Sequence, residues 1–81
     1  MFEDFTISFI GAGMMAEAII HGLIDREMLK PEQILASEPR EERGHQLEER
    51  YGIRWTSDNV EAARQADLLV LSVLSEGPAY G

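Results

Sequence analysis

A short glycine-rich segment stands between an apolar run and a helical pattern near the start of the chain. Gly11-Ala12-Gly13-Met14-Met15-Ala16 follows directly on Thr6–Ile10, which we predict to be the first strand. After this segment apolar residues recur at spacings of three and four, which predicts an amphipathic helix with Ala16, Ile19, Ile20, Leu23 and Ile24 on one face. A strand that turns through glycines into a helix begins a βαβ unit, so this feature favours the α/β class.

Residues 11–16, called the glycine loop below, have the steric and electrostatic properties of a pyrophosphate site. Gly11 permits a tight turn, Gly13 lets the backbone approach a phosphate, and Ala16 keeps the helix close to the strand. The first N–H groups of a helix lack intrahelical partners, and the helix dipole favours an anion there. We therefore predict binding of NAD or NADP. The alternative is a β-to-α turn that needs small residues only for its shape.

The remaining strand-like and helix-like segments alternate with short connections, as in stacked βαβ units. We predict three more strands, at Ile34–Ser37, Ile53–Trp55 and Leu68–Val73. Lys30-Pro31 should end the first helical region. The second helix should begin near Pro39 and end at Tyr51 with Gly52 as its cap, and a capping box of Asp58 and Glu61 should open a third helix to about Ala66.

The handedness of these crossovers restricts the topology. Right-handed connections place the first two helices on one face of the sheet and the third on the other. The predicted fold is therefore a Rossmann-like parallel sheet of four strands in the order 3-2-1-4, with helices on both faces. The fourth strand is almost entirely apolar, so we expect it to be covered on both faces.

Composition excludes several classes of function. The 81 residues suit one small domain or part of a larger one. With 7 basic and 15 acidic residues, the net charge of −8 disfavours nucleic acid and anionic membrane surfaces. The absence of cysteine excludes disulfides and thiolate metal sites. The longest apolar stretch, Leu68–Leu74, is too short to span a bilayer, and the acidic start is unlike a secretory signal, so we expect a cytoplasmic protein.

Two charged residues after the second strand favour different cofactors. Glu38 can accept hydrogen bonds from ribose hydroxyls, which favours NAD. Arg40 can pair with a 2′-phosphate or lie against adenine, which favours NADP. The alternative is that both are solvated residues at a helix start. These neighbours leave the choice of cofactor open, with a slight preference for NAD.

The other polar residues do not form a recognisable site. His21 and His45 belong to different predicted helices and have no clustered partners, so no metal site is expected. We interpret the charged face of the second helix as solvated surface (Glu41, Glu42, Arg43, Glu48, Glu49 and Arg50). Trp55 should anchor an edge of the core rather than stack on adenine.

From Phe5 to Val73 the sequence resembles the amino-terminal domain of pyrroline-5-carboxylate reductase. The resemblance rests on Phe9–Ile19, Ala36-Ser37-Glu38 and Asp67–Val73. That family reduces the C=N bond of 1-pyrroline-5-carboxylate with NAD(P)H and forms L-proline. The resemblance implies a pyrophosphate site at Ile10, Gly11, Ala12, Gly13, Met14 and Met15, an adenosine ribose site at Ser37, Glu38 and Arg40, and a cofactor contact at Asn59. Asn59 is equally interpretable as a helix-start residue, and no catalytic residue is identified.

The sequence departs from the family pattern after the fourth strand. The family continues with Lys-Pro and adds a helical second domain that forms the dimer and binds substrate, whereas this chain continues as Leu74–Gly81. We therefore expect a partial dinucleotide-binding domain at residues 1–73 and an atypical tail at 74–81, as in a truncation, an internal deletion or a chimera. Gly77-Pro78-Ala79-Tyr80 resembles a motif of the substrate region, or matches it by coincidence.

The expected function follows from that pattern. The chain should bind cofactor without turnover by itself, and the open edge of the fourth strand should pair with another copy in a homo-oligomer. The alternatives are a non-catalytic dinucleotide-binding or assembly module and part of another NAD(P)-dependent dehydrogenase.

Overall fold

The computed structural model describes residues 4–72, which contain four strands, three α-helices and one short 3₁₀ helix. In chain order they are β1 (Ile7–Ile10), α1 (Met14–Asp25), the 3₁₀ helix (Pro31–Gln33), β2 (Ile34–Ser37), α2 (Glu41–Tyr51), β3 (Arg54–Thr56), α3 (Asn59–Gln65) and β4 (Leu68–Leu71). Among these residues, every helix is too short or too polar to cross a bilayer.

The strands form one parallel sheet in the order β3-β2-β1-β4, which confirms the predicted order. Strand β1 is central, and its first residue, Ile7, lies opposite Ile34 of β2 and Leu68 of β4. Because all pairs are parallel, the carboxyl ends of the strands meet at one edge, and the glycine loop begins at that edge.

Helices cover both faces of the sheet, as predicted. Side chains alternate between the two faces of a strand, so Phe9 packs in the core that α1 and α2 cover, together with Ile20 and Leu47. On the opposite face Ile10 packs in a smaller cluster with Leu35 of β2 and Ala62 of α3. The buried apolar side chains on both faces hold the carboxyl ends of β1 and β2 in register.

Two predicted helix boundaries depend on local capping. Gly52 has φ 76°, a left-handed conformation that glycine adopts without strain, and it ends α2 as predicted. Asp58 caps α3 through Oδ1, which accepts a hydrogen bond from Val60 N at 2.9 Å. The predicted capping box also requires the Glu61 carboxylate to accept a hydrogen bond from the Asp58 backbone N–H. This part of the prediction is wrong, because the Glu61 carboxylate accepts from the Gln65 side chain instead.

The first helix ends earlier than predicted. Helix α1 stops at Asp25, the Arg26 N–H bonds to the carbonyl of Gly22, and Glu27 turns into the left-handed region with φ 55°. The expectation that Lys30-Pro31 ends the helix is therefore wrong, and Pro31 instead begins the 3₁₀ helix. The helical spacing predicts Ile19 on the buried face of α1, and this is wrong, because Ile19 is 39% exposed.

The third strand is shifted by one residue from its prediction. Ile53 is buried but precedes β3, which begins at Arg54 and ends at Thr56.

Strand β4 is exposed, which contradicts the expectation that it is covered on both faces. Leu68, Leu69 and Leu71 are 48%, 41% and 67% exposed. Among the described residues β4 pairs only with β1, so it is an edge strand, and an apolar sequence does not by itself indicate which strands lie inside a sheet. Val73, the predicted end of this strand, lies outside the described residues.

Ser8, in the middle of β1, is fully buried and its hydroxyl lacks a hydrogen-bond partner within the described chain. Because a buried hydroxyl without a partner costs about 1–3 kcal/mol, Ser8→Ala should raise the free energy of unfolding by about 1 kcal/mol. Ser37→Ala is the matched control, since Ser37 is equally buried but its hydroxyl donates a hydrogen bond to Asn59. Removing that hydrogen bond should destabilise the fold. Urea denaturation measures the free energy of unfolding of both variants. A Ser8→Ala variant that is less stable than wild type would contradict the absence of a partner for the Ser8 hydroxyl.

Candidate functional site

The glycine loop leaves β1 through a backbone conformation that requires glycine at one position. Gly11 has φ 95°, a region that L side chains rarely adopt. Its N–H donates to the carbonyl of Ser37 at 2.9 Å, which joins the loop to the end of β2. On the other side the Ser72 hydroxyl donates to the carbonyls of Ile10 (3.0 Å) and Gly11 (2.8 Å). The start of the loop is therefore held by both neighbouring strands.

Gly13 caps α1 but supplies no side-chain acceptor to the first turn. Its backbone is extended (φ −80°, ψ −171°), and among the described residues no side-chain hydrogen bond caps the start of this helix. Helix α3 differs, since the carboxylate of Asp58 accepts from its first-turn N–H groups. Without such a cap the first N–H groups of α1 are available to an external anion, and the positive end of the helix dipole favours one.

An open hollow of about 650 Å³ lies beside this helix start. It is lined by Ala12, Gly13, Met14, Met15, Glu17, Arg40 and Arg43. Five of these are sequence-predicted site residues, and Met14 is the most exposed of them at 86%. Ile10 does not reach the hollow, because its side chain packs on the opposite face of the sheet. Any contact from Ile10 to a ligand here would come from its backbone.

Ser37 and Asn59 meet although 22 residues separate them in the sequence. Ser37 ends β2 and is fully buried, whereas Asn59 is exposed at the first turn of α3. The Ser37 hydroxyl donates to the side-chain oxygen of Asn59. The side-chain oxygen of Asn59 is therefore bound to the protein. The bond also brings Ser37 and Asn59, two residues predicted to contact the cofactor, together at one edge of the sheet.

Glu38 and Arg40 pair with each other. Arg40 Nε lies 2.7 Å from Glu38 Oε2 and Nη2 lies 3.1 Å from Oε1, and the Arg40 N–H donates to the same carboxylate at 2.9 Å. Glu38 is only 2% exposed, and these bonds from Arg40 are the main reason that its pKa is lowered. The sequence suggested two neighbours with opposing preferences, whereas the structure joins them into one bidentate ion pair.

Sequence reasoning missed a second ion-pair cluster, which joins α1 to α2. Glu17 Oε1 accepts from Arg43 Nη2 at 2.7 Å, while its Oε2 accepts from Arg50 at 2.5 Å and from the Tyr51 hydroxyl at 2.7 Å. Arg43 Nε also donates to the Ala12 carbonyl at 3.0 Å. The bonds from Tyr51 and Arg43 lower the pKa of Glu17 to about 2, so it is ionised at neutral pH.

The interpretation of the α2 charges as solvated surface is therefore wrong for Arg43, whose side chain is 19% exposed. A signal was present in the sequence: Arg43 and Arg50 lie two helical turns apart, which places both on the same face of α2.

Trp55 is partly buried, and its Nε1 donates to the carbonyl of Glu38 at 2.9 Å, which supports its predicted place at an edge of the core. The His45 ring lies 5.2 Å from the Trp55 ring, and the carboxylates of Glu48 and Glu41, which accept hydrogen bonds from the protonated ring, raise the pKa of His45. Within residues 4–72 no group of side chains has the composition of a metal site.

These features together define a class of protein. A parallel sheet with a glycine loop after its central strand, and a hollow beside the following helix, is a dinucleotide-binding domain of the Rossmann type. The chain belongs to the family described as NADP oxidoreductase coenzyme F420-dependent, whose model matches residues 6–76. This match confirms the predicted class of cofactor, NAD or NADP.

Curated relatives give a finer comparison. The chain is 49% identical over 71 residues to pyrroline-5-carboxylate reductase of Vibrio alginolyticus and 44% identical over 68 residues to that of Corynebacterium melassecola. The match to the enzyme of Arabidopsis thaliana is 31% over 71 residues. These alignments cover 88%, 84% and 88% of this chain but only 26%, 25% and 26% of the relatives. The predicted resemblance is confirmed, and the chain spans about a quarter of the length of these relatives.

Proposed function

We propose that this chain provides the NAD(P)H-binding part of a pyrroline-5-carboxylate reductase. The observation that carries the proposal is the uncapped start of α1, which follows the glycine loop and opens into the hollow. The named relatives support the reaction. The proposal includes the domain division made from the sequence, with residues 1–73 as a partial nucleotide domain and 74–81 as a tail, although residues 73–81 lie outside the described part.

The residues present fit a bound dinucleotide. Backbone N–H groups at the start of α1 would hold the pyrophosphate, and Gly13 would allow its approach because it has no Cβ. Ser37, Arg40 and Asn59 would contact the adenosine end, and Glu38 would hold the Arg40 side chain in place there. The bound cofactor would supply hydride to the carbon of the C=N bond, and a proton would be added at nitrogen. This chain's own part is to bind and orient the cofactor.

We further propose that NADPH binds better than NADH. The Glu38 carboxylate is buried and already accepts three hydrogen bonds from Arg40, so its capacity to accept from ribose hydroxyls is largely used. The Arg40 side chain is 65% exposed and lines the hollow, where a guanidinium favours a 2′-phosphate. This reverses the slight preference for NAD that Glu38 suggested from the sequence.

Calorimetric titration with NADPH and NADH tests the binding step directly. We expect both to bind to the 81-residue chain, NADPH more tightly, and we expect no proline formation from 1-pyrroline-5-carboxylate by this chain alone. Equal affinities would contradict the role of the Glu38–Arg40 pair. Absence of binding by a folded sample would contradict the proposed function.

A chimera tests the reaction. Residues 6–72 would replace the matching segment of the Vibrio alginolyticus relative, which is 49% identical to this chain. We expect NADPH-dependent proline formation by the chimera and none by the same chimera with Gly13→Val. A folded chimera that binds NADPH but forms no proline would contradict the assignment to this reductase and would favour another dehydrogenase or a non-catalytic dinucleotide-binding module.

We also propose self-association through β4 and a cytoplasmic location. The first rests on an edge strand with exposed Leu68, Leu69 and Leu71, which can pair with the same strand of another copy. Sedimentation should show a dimer or larger assembly, and a monomer at high concentration would contradict this proposal. The second rests on the cysteine-free, acidic composition, and cell fractionation tests it.

A further inference from the structure

The carbonyl of Ala12, in the middle of the glycine loop, is held by a side chain from another part of the chain. It accepts a hydrogen bond from Arg43 Nε at 3.0 Å, and the Ala12 N–H helps to lower the pKa of the nearby Glu38 carboxyl. Ala12 itself is 2% exposed. Because this carbonyl is engaged, the loop between β1 and α1 is held in one orientation before any ligand arrives.

Each of these two side chains is held in turn by an ion pair. Glu38 is paired with Arg40 through two bonds, and Arg43 is paired with Glu17 at 2.7 Å. The side chains of Glu17 and Arg43 are both only 19% exposed, so water and salt screen this pair less than a surface pair. Glu17 is ionised at neutral pH, so this ion pair is present at the pH at which the protein would bind its cofactor.

We propose that Arg43 is a positioning residue for the dinucleotide. By holding the Ala12 carbonyl it keeps Gly13 and the first N–H groups of α1 in the orientation that receives a pyrophosphate, and Glu17 keeps Arg43 in place. Donors that are already ordered bind more tightly, because less conformational freedom is lost on binding. The inference rests on the proposed function and assigns Arg43 a role through the loop rather than through contact with the ligand.

Arg50 offers a matched control. It pairs with the same Glu17 carboxylate, at 2.5 Å, and it carries the same charge. Within residues 4–72 none of the hydrogen bonds described joins Arg50 to the glycine loop, whereas Arg43 bonds to Ala12 directly. Arg43→Gln and Arg50→Gln therefore remove one cation each from the same cluster, and only the first removes a bond to the loop.

The test is a calorimetric titration of NADPH into the wild-type 81-residue chain and the two variants, each checked by urea denaturation. We expect Arg43→Gln to weaken NADPH binding about tenfold, which corresponds to the loss of one charge-assisted hydrogen bond. Arg50→Gln should stay within about twofold of wild type, as for a largely exposed ion pair. The affinity of Arg43→Lys for NADPH should fall between those of the two glutamine variants, because one ammonium group cannot reproduce the two directed bonds of the guanidinium. This variant also provides a test if Arg43→Gln folds poorly.

A second measurement separates positioning from direct contact with phosphate. If Arg43 acts through the loop, amide exchange at Gly11, Ala12 and Gly13 should be faster in ligand-free Arg43→Gln than in Arg50→Gln. The affinity ratio of wild type to Arg43→Gln should also be the same at low and high salt. A ratio that falls strongly with salt would overturn the proposal in favour of direct phosphate contact.

Two further outcomes would also overturn it. Equal losses of affinity in the two glutamine variants would show that the cluster contributes only charge or stability, and unchanged affinity in Arg43→Gln would show that the loop is ordered without it. Both contradict this inference while leaving the proposed function in place. A folded wild-type chain that fails to bind NADPH would instead contradict the proposed function, and with it the role of Arg43.

Discussion

Replacing Gly13 with valine should lower the affinity for NADPH by at least about a hundredfold, because the branched side chain occupies the space where the pyrophosphate approaches the backbone. The fold should survive. Gly13 has an extended backbone that valine adopts without strain, so the expected loss of stability is the weaker helix cap, about 1 kcal/mol. Calorimetric titration measures the affinity, and urea denaturation measures the stability.

Gly11 provides the contrasting control for this prediction. Its φ of 95° is unfavourable for any side chain, so Gly11→Ala should cost about 1–2 kcal/mol of stability. We therefore expect the fold to require glycine at position 11 and ligand binding to require glycine at position 13. A folded Gly13→Val chain with wild-type affinity would show that the phosphates bind elsewhere.

The second prediction compares two glycines inside helices. Alanine in place of a helical glycine ordinarily raises stability by about 0.5–1 kcal/mol. Gly22→Ala in α1 should do so, because within residues 4–72 no heavy atom outside the adjacent residues and the helix's own backbone lies within 4 Å of the added methyl group. Gly44→Ala in α2 should instead destabilise the chain by about 2 kcal/mol, as in an overpacked core.

The cause of this difference is Trp55. A Cβ at Gly44 would lie 2.3 Å from Trp55 Nε1, so the indole ring has to move. That movement breaks the bond from Nε1 to the Glu38 carbonyl, which is 2.9 Å long. Urea denaturation of both variants gives the comparison, and equal stabilisation by the two substitutions would show that Trp55 does not lie over Gly44.

The sheet order was predictable because it depends on a few strong local signals. The glycine loop marks one β-to-α turn, Gly52 ends α2, and right-handed parallel connections reduce the possible strand orders to a few, which include the observed β3-β2-β1-β4. The exposure of β4 was not predictable in this way. Whether Leu68 to Leu71 are buried depends on what lies beyond that strand, and the residues of the strand itself do not encode its neighbour.

The ion pairs at the candidate site were harder to predict for two different reasons. Glu38 and Arg40 are two residues apart, a spacing at which helical side chains do not meet, and they pair only because the backbone at Arg40 is extended. Glu17 and Arg43 lie 26 residues apart in helices whose charged faces each look solvated. Their meeting depends on how α1 and α2 pack together, which periodicity within either helix does not describe.

The bonds from Ser72 to the glycine loop also have a consequence for the order of events during synthesis. The carbonyls of Ile10 and Gly11 accept from a hydroxyl that follows them by 62 and 61 residues. The loop is made early by the ribosome, but its last described hydrogen bonds cannot form until Ser72 has left the exit tunnel. Long-range parallel pairing of this kind folds slowly. Until then the loop lacks these two hydrogen bonds, so the central strand β1 reaches its final contacts only after the edge strand β4 has been made.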